Sequence, residues 1–424
     1  MPLHVTVLRA VEILDSRARP TLAVTVGLAG GAVGHASVPS GASTGSREAV
    51  ELRDQDPTRF LGRGVRGAVG HVNGEIADAL RGRDFTDQAT FDQTLIDLDG
   101  TPGASRLGAT ALIGVSMAAA RAGAARRGRP LWEYLAPDDV TPVLPVPYFN
   151  IVNGGVHAPN PLDFQEFMIV PFGAPSMAEA VRCGAEVYGF LQRRLTDAGL
   201  RSSTALGDEG GFAPCLSQPE DALRMLTGAV EDAGYTPGRT SVALALDAAA
   251  NTIRQPDGRY LVGGAKLTTQ DLIARYRQII ADFPVCSIED GLAEDDRTGW
   301  LNLTRELGDR VQLAGDDLFV TQPDLIARAA ADGIANAAVI KPNQAGTVTQ
   351  ALRAMAVCRT AGYGAVVSHR SGETEDTFIA DLAVGSGCGQ FKAGAPARGE
   401  RVAKYNQLIQ IAARHLELDY GPDR

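Results

Sequence analysis

Between Val5 and Val38 apolar and polar positions alternate, which predicts strands over 5–8, 22–26 and 32–38. The polar segment Asp15–Pro20 is the turn between the first two, and Gly30-Gly31 precedes the third. Helical spacing takes over from about Glu48 to Gly123. Its clearest stretch is Ala109–Ala125, where small and apolar residues cover most of the surface, so this helix is predicted to be largely buried. Strands first and helices afterwards predict a small α+β unit. Pro137, Pro142, Pro145 and Pro147 then interrupt both patterns and mark a linker.

Beyond the linker, short apolar runs recur with helix-like sequence between them. Ser241–Leu246 runs into Asp247, Pro284–Ile288 into Glu289, and Val311–Gly315 into Asp316. Ala337–Ile340 runs into Lys341, Gly364–Val367 into Ser368-His369-Arg370, and Gly389–Phe391 into Lys392. The steps from Asp247 through Glu289, Asp316, Lys341 and His369 to Lys392 are 42, 27, 25, 28 and 23 residues. A strand, a helix and two loops take about 30 residues. The spacing therefore predicts a parallel β/α barrel with functional groups at the carboxyl ends of its strands. The fold class read from the sequence is α/β. Residues 1–138 form a smaller N-terminal α+β capping domain, and residues 139–424 a C-terminal β/α barrel.

Composition narrows the function classes. With 424 residues the chain can bury a large core without disulfides. A net charge of −10 argues against broad binding to nucleic acid or anionic membranes. No apolar run approaches the roughly 20 residues that span a bilayer, and Met1–Val7 lacks the layout of a secretory leader. The five cysteines, Cys183, Cys215, Cys286, Cys358 and Cys388, are widely spaced with no CxxC pair. That pattern fits reduced thiols in a cytoplasm.

The strand-end residues suggest chemistry. Asp247, Glu289 and Asp316 converging at one mouth would repel unless a cation neutralised them. Oxygen ligands without nearby Cys or His favour magnesium or manganese. Lys341 and Lys392 follow, and a lysine beside a cation and another lysine is expected to have a depressed pKa, as suits a general base. Ser368-His369-Arg370-Ser371 is a natural site for a phosphate or carboxylate. Two glycine-rich segments carry acids: Asn153–His157 followed by Gln165-Glu166, and Gly207–Pro214 around Glu209. A carboxylic acid there could protonate a leaving hydroxide. Pro39–Gly45 is small-residue material for a mobile lid and, with no following GK[ST], is not a phosphate-binding Walker loop.

These segments, in this order, resemble enolase. The likeness runs through Ile13–Arg17, Ser40–Gly45, Asn153–Gly155, Gln165–Met168 and Gly207–Pro214. It continues through Ser287–Asp290, Gly315–Leu318, Ser368–Asp376 and Arg401–Gln407. The resemblance implies a modified TIM-type barrel, a homodimer or higher homo-oligomer, two Mg2+ per site, and dehydration of 2-phosphoglycerate to phosphoenolpyruvate. By position it implies Asp247, Glu289 and Asp316 as ligands of one magnesium, with Ser43 of the lid helping to hold the second. It implies Lys341 as the base at C2, Lys392 as a charge-stabilising partner, and Glu209 as the acid at C3 with Glu166 beside it. His157 and His369 match further active-site positions, Arg370 and Ser371 the phosphate site, and Gln165 a supporting one. The sequence departs from the family pattern at Ala18-Arg19, Gly103-Ala104, Thr110, Ala250–Ile253, Pro342, Ala345 and Gly399. Such departures leave room for a paralogue acting on a related phospho- or phosphono-carboxylate; a non-catalytic binding protein on the same fold is the remaining alternative.

Overall fold

Two sheets of opposite character organise the chain, which is described here from a computed structural model covering residues 2–41, 45–200 and 205–421. The first is antiparallel, built from β1 (Leu3–Leu14), β2 (Pro20–Leu28), β3 (Val33–Ser37) and the short β4 (Asp84–Phe85), in the order β3-β2-β1-β4. One face packs on the helix Ala109–Arg127, whose residues are buried almost throughout, as its composition predicts. The contact is close at Gly34, where a Cβ would lie 2.0 Å from the Ala118 carbonyl oxygen. Any side chain there would force β3 off the helix.

The second sheet closes on itself. Its strands are β5 (Val146–Asn153), β6 (Glu166–Val170), β7 (Ala243–Asp247), β10 (Val285–Glu289), β11 (Gln312–Gly315), β12 (Ala337–Ile340), β13 (Gly364–Ser368) and β14 (Gly389–Lys392). Between β7 and β10 lies a small hairpin, β8 (Tyr260–Val262) with β9 (Ala265–Leu267). All barrel neighbours are parallel except those of β6, which runs antiparallel to both β5 and β7. β5, β6, β7, β10 and β12 are buried at every position. Strands covered on both faces need such continuous apolar runs. The six strands expected from the charged-end rhythm are all present in the barrel.

Three local expectations change. Residues 48–65 hold no α-helix, and the helical pattern begins at Arg66. Strand β1 continues to Leu14, well past the expected end at Leu8. Pro147 lies inside β5, paired with Phe391, so irregular backbone stops at Pro145. Proline is tolerated there near the start of a strand.

Polar contacts fasten the N-terminal layer onto the barrel. Asp92 accepts from the Thr349 N–H at 2.9 Å, and Ser116 Oγ from the Val348 N–H at 3.0 Å, which caps the start of the helix Val348–Ala361. Arg121 makes a two-point ion pair with Asp376 at 2.7 and 2.8 Å.

Candidate active site

Sheet register assembles the acids. Asp247 pairs across its ladders with Glu166 on one side and Glu289 on the other. Neighbouring strands lie about 4.8 Å apart, so the three carboxylates line one arc of the barrel mouth. Glu166 joins them because β6 is antiparallel and begins where its neighbours end. Asp316 follows β11 directly, and all four acids are buried. Burial, followed by repulsion from Glu289, pushes the Asp247 carboxyl well above its ordinary range.

Two lysines supply the countercharge. Lys392 Nζ lies 2.6 Å from Glu289 Oε2, 3.2 Å from Glu166 Oε2 and 3.9 Å from Asp247 Oδ2. Burial works against its ammonium form, but Glu166, Glu289 and Asp247 hold its pKa well above the usual value. Lys341 Nζ contacts Asp316 Oδ2 directly. Here too burial lowers the pKa, yet Asp316 raises it further and the net shift is upward. This ion pair, which the strand spacing did not reveal, holds the Lys341 proton, whereas the depression expected from sequence belongs to a lysine beside a cation.

Beside these lysines sits a second acid pair. Glu209, in the glycine-rich loop, accepts from Asn150 Nδ2 at 2.9 Å and lies 3.4 Å from His369 Nε2, both through Oε2. Its Oε1 is 3.5 Å from His157 Nδ1, which is also 3.8 Å from Glu166 Oε1. Burial raises Glu209, but His157, His369 and Arg401 pull it well below the ordinary range. Burial and the Glu209 charge raise Glu166 well above it. Two adjacent buried carboxylates cannot both ionise freely, so their titrations are linked. The donors around Glu209 favour its ionised form over that of Glu166.

The third part is the loop after β13. Arg370 holds Glu48 in a two-point ion pair at 2.9 and 3.1 Å and donates to Asn343 Oδ1 at 3.1 Å. Ser371 Oγ accepts from Arg17 Nη1 at 3.2 Å. Next to it, Ser40 and Gly372 exchange backbone hydrogen bonds of 2.7 and 2.9 Å, which joins the stem of the small-residue loop to the anion loop. Gly372 allows this approach, since a Cβ would lie 2.5 Å from both Arg17 Nη2 and Asp15 Oδ2. Ser43 lies outside the described residues.

Residues 141–417 match the family model for the enolase C-terminal TIM barrel domain, and residues 5–135 match that for the enolase N-terminal domain. The chain belongs to the enolase family. In this enolase-family barrel, His157, Gln165, Glu166, Glu209, Lys341, His369, Arg370, Ser371 and Lys392 line one pocket. The acids Asp247, Glu289 and Asp316 are held against that pocket by the two lysines.

The donor set fits a divalent cation. Asp247, Glu289 and Asp316 offer only carboxylate oxygens, the chemistry that selects a hard ion. Glu289 Oε1 is buried without a hydrogen-bond partner, as is Gln165 Oε1, while Gln165 Nε2 donates to Asp247 at 3.2 Å. Among the described residues, however, the groups whose possible ligand atoms cluster together are different ones. They are Asp290-Asp316-Asp317 and His157-Glu166-Glu209, each with ligand atoms within 4.8 Å of one another. Both oxygens of Asp290 are already committed, accepting the N–H groups of Asp316 and Asp317 at 2.9 Å. Asp290 thus shapes the end of β11. Burial and the neighbouring Asp316 push Asp317 up to about 7, although Asn251 donates to it at 2.9 Å.

Sequence reasoning did not single out Arg17, Glu48, Asn150, Asn343 or Arg401 as site residues. Arg17 and Arg401 lie within the quoted family segments Ile13–Arg17 and Arg401–Gln407. Asn343 lies between the departures Pro342 and Ala345, and Glu48 lies three residues past the segment Ser40–Gly45.

Proposed function

We propose that this enolase-family protein is a magnesium-dependent lyase that interconverts 2-phosphoglycerate with phosphoenolpyruvate and water. The observation carrying this reading is the division of one pocket between the Lys341–Asp316 pair and the adjacent glutamates Glu166 and Glu209. Lys341 follows β12 and Glu166 begins β6, and four strand steps separate them in either direction around the eight-stranded barrel. A substrate in the mouth therefore meets a base on one side and an acid on the other.

Asp247, Glu289 and Asp316 would hold the cation. When bound it supplies positive charge that draws electron density from the substrate carboxylate. Lys341 must shed its proton to act, and a ligand role for Asp316 takes away the carboxylate that holds that proton. The neutral amine then takes the proton from C2, and the C–H electron pair moves into the substrate carboxylate. Lys392 stands ready to balance the added negative charge. The electrons return as the C3–O bond breaks, and the Glu166–Glu209 pair delivers its proton so that hydroxide leaves as water. Arg370 and Ser371 bind the phosphate, with Gln165, His157 and His369 orienting the groups around it. In the same reading Ser43 would help hold a second magnesium. A cytoplasmic homodimer and a domain division after residue 138 belong to the same reading.

The test is turnover of 2-phosphoglycerate by purified protein, followed through the ultraviolet absorbance of phosphoenolpyruvate. Activity that requires magnesium and disappears with excess chelator supports the assignment. A folded, magnesium-binding protein with no turnover would sink it. A second reading, a pathway-specific enzyme for a related phospho- or phosphono-carboxylate, draws support from Asn251 and Pro342. The first contacts Asp317 and the second directly follows Lys341, and both depart from the family pattern. Higher kcat/KM for a phosphonate analogue than for 2-phosphoglycerate would select it.

A further inference from the structure

Arg401 lies in the first turn of the helix Gly399–Arg414 and is completely buried, and among the described residues its only ion-pair partner is Glu400, 3.5 Å from its Nε. Its guanidinium is directed instead at two segments of the pocket wall. Nη1 lies 2.6 Å from His369 Nδ1 and donates to the Arg370 carbonyl at 2.6 Å. Nη2 donates to the carbonyls of Ser371 at 2.5 Å and Asp208 at 3.1 Å. A guanidinium has five N–H donors, no acceptor, and keeps its charge at any ordinary pH. His369 Nδ1 must therefore present a lone pair to it. A neutral imidazole carries one N–H, so that proton sits on Nε2, the atom 3.4 Å from Glu209 Oε2.

We infer that Arg401 is a positioning residue that fixes His369 in its Nε2–H tautomer and so aims a neutral donor at Glu209. This rests on the function proposed above for Glu209 but concerns a residue with no part in that scheme. A doubly protonated His369 would set an N–H against the Arg401 fork, and burial with the nearby cations accordingly pushes its pKa down to about 3. The imidazole thus stays neutral while it donates. Asn150 shares the same oxygen of Glu209, so two neutral donors stabilise the ionised form there. The bonds to the carbonyls of Asp208 and Ser371 fix the spacing between the acid loop and the anion loop.

The test reads the tautomer directly, by 15N NMR of histidine-labelled full-length protein without substrate. His369→Gln identifies the resonance. Wild type is expected to show Nε2–H with no titration between pH 5 and pH 9. Arg401→Gln, whose amide can either donate or accept, is expected to mix the tautomers and lower kcat tenfold or more with little change in KM. Arg401→Lys, still a donor without an acceptor, is expected to restore the tautomer. In a His369→Gln background, Arg401→Gln should add little further loss. An Nδ1–H tautomer in wild type, or an unaltered tautomer in a folded Arg401→Gln protein, would overturn the inference. If Arg401→Gln does not fold, the wild-type spectrum and Arg401→Lys still decide it. Because the spectrum needs no substrate, failure of the 2-phosphoglycerate assignment leaves the tautomer result readable on its own.

Discussion

Arg370 and Glu48 are both nearly fully buried and face each other as fork to carboxylate. A substrate phosphate must share or displace that carboxylate, so the geometry of the guanidinium matters more than its charge. Arg370→Lys keeps the charge and loses the fork. Its KM for 2-phosphoglycerate is expected to rise about tenfold or more, corresponding to about 1.4 kcal/mol, with kcat less affected. An unchanged KM would place phosphate recognition elsewhere. Single residues were the scale at which sequence was most informative about types and least about partners. Asp247, Glu289, Asp316, Lys341 and Lys392 stand at strand ends as the apolar runs predict. The ion pair that holds the Lys341 proton is a contact between β11 and β12 loops, and no pattern along the chain encodes it.

Elements carry a different lesson. The barrel strands were legible because buried parallel strands write themselves as apolar runs. The antiparallel β6 was not among the runs read from spacing, since its functional acid starts the strand instead of ending it. Residues 48–65 looked helical from local spacing, yet Glu48, Glu51 and Arg53 there are used in contacts with the anion loop, the lid stem and each other. At this scale, the helix Phe378–Gly385 buries Asp381, which accepts from Gln407 Nε2 at 2.9 Å. Burial pushes this carboxyl up to about 6 from an ordinary 3.8. The folded state thus binds the proton more tightly than the unfolded chain, and stability falls as pH rises from about 4 to about 6. Asp381→Asn removes that penalty. Its stability relative to wild type in urea unfolding should climb by on the order of 2–3 kcal/mol between pH 4 and pH 7. A difference that does not depend on pH would mean Asp381 is not protonated in the fold.

For the whole molecule, the outer face of the antiparallel sheet bears on assembly. Val7 is 48% exposed, Val11 47% and Val33 46%. Val7 and Val33 are both register partners of Gly27, so they share one face. A homodimer, part of the proposed reading, would cover such positions. Light scattering should then report twice the 44.5 kDa chain mass, and Val11→Asp should shift the population toward the monomer. A wild-type monomer at all concentrations would remove assembly from the reading. The central claim, that base and acid stand on opposite sides of one pocket, has a more direct test. 2-Phosphoglycerate is incubated with enzyme and magnesium in D2O, and NMR follows exchange of the C2 proton alongside phosphoenolpyruvate formation. Wild type should do both, and Glu209→Gln should keep exchange while product formation falls about 10²–10⁴-fold. Lys341→Ala should lose both. C2 exchange that survives in folded Lys341→Ala, or is absent from wild type, would contradict the account.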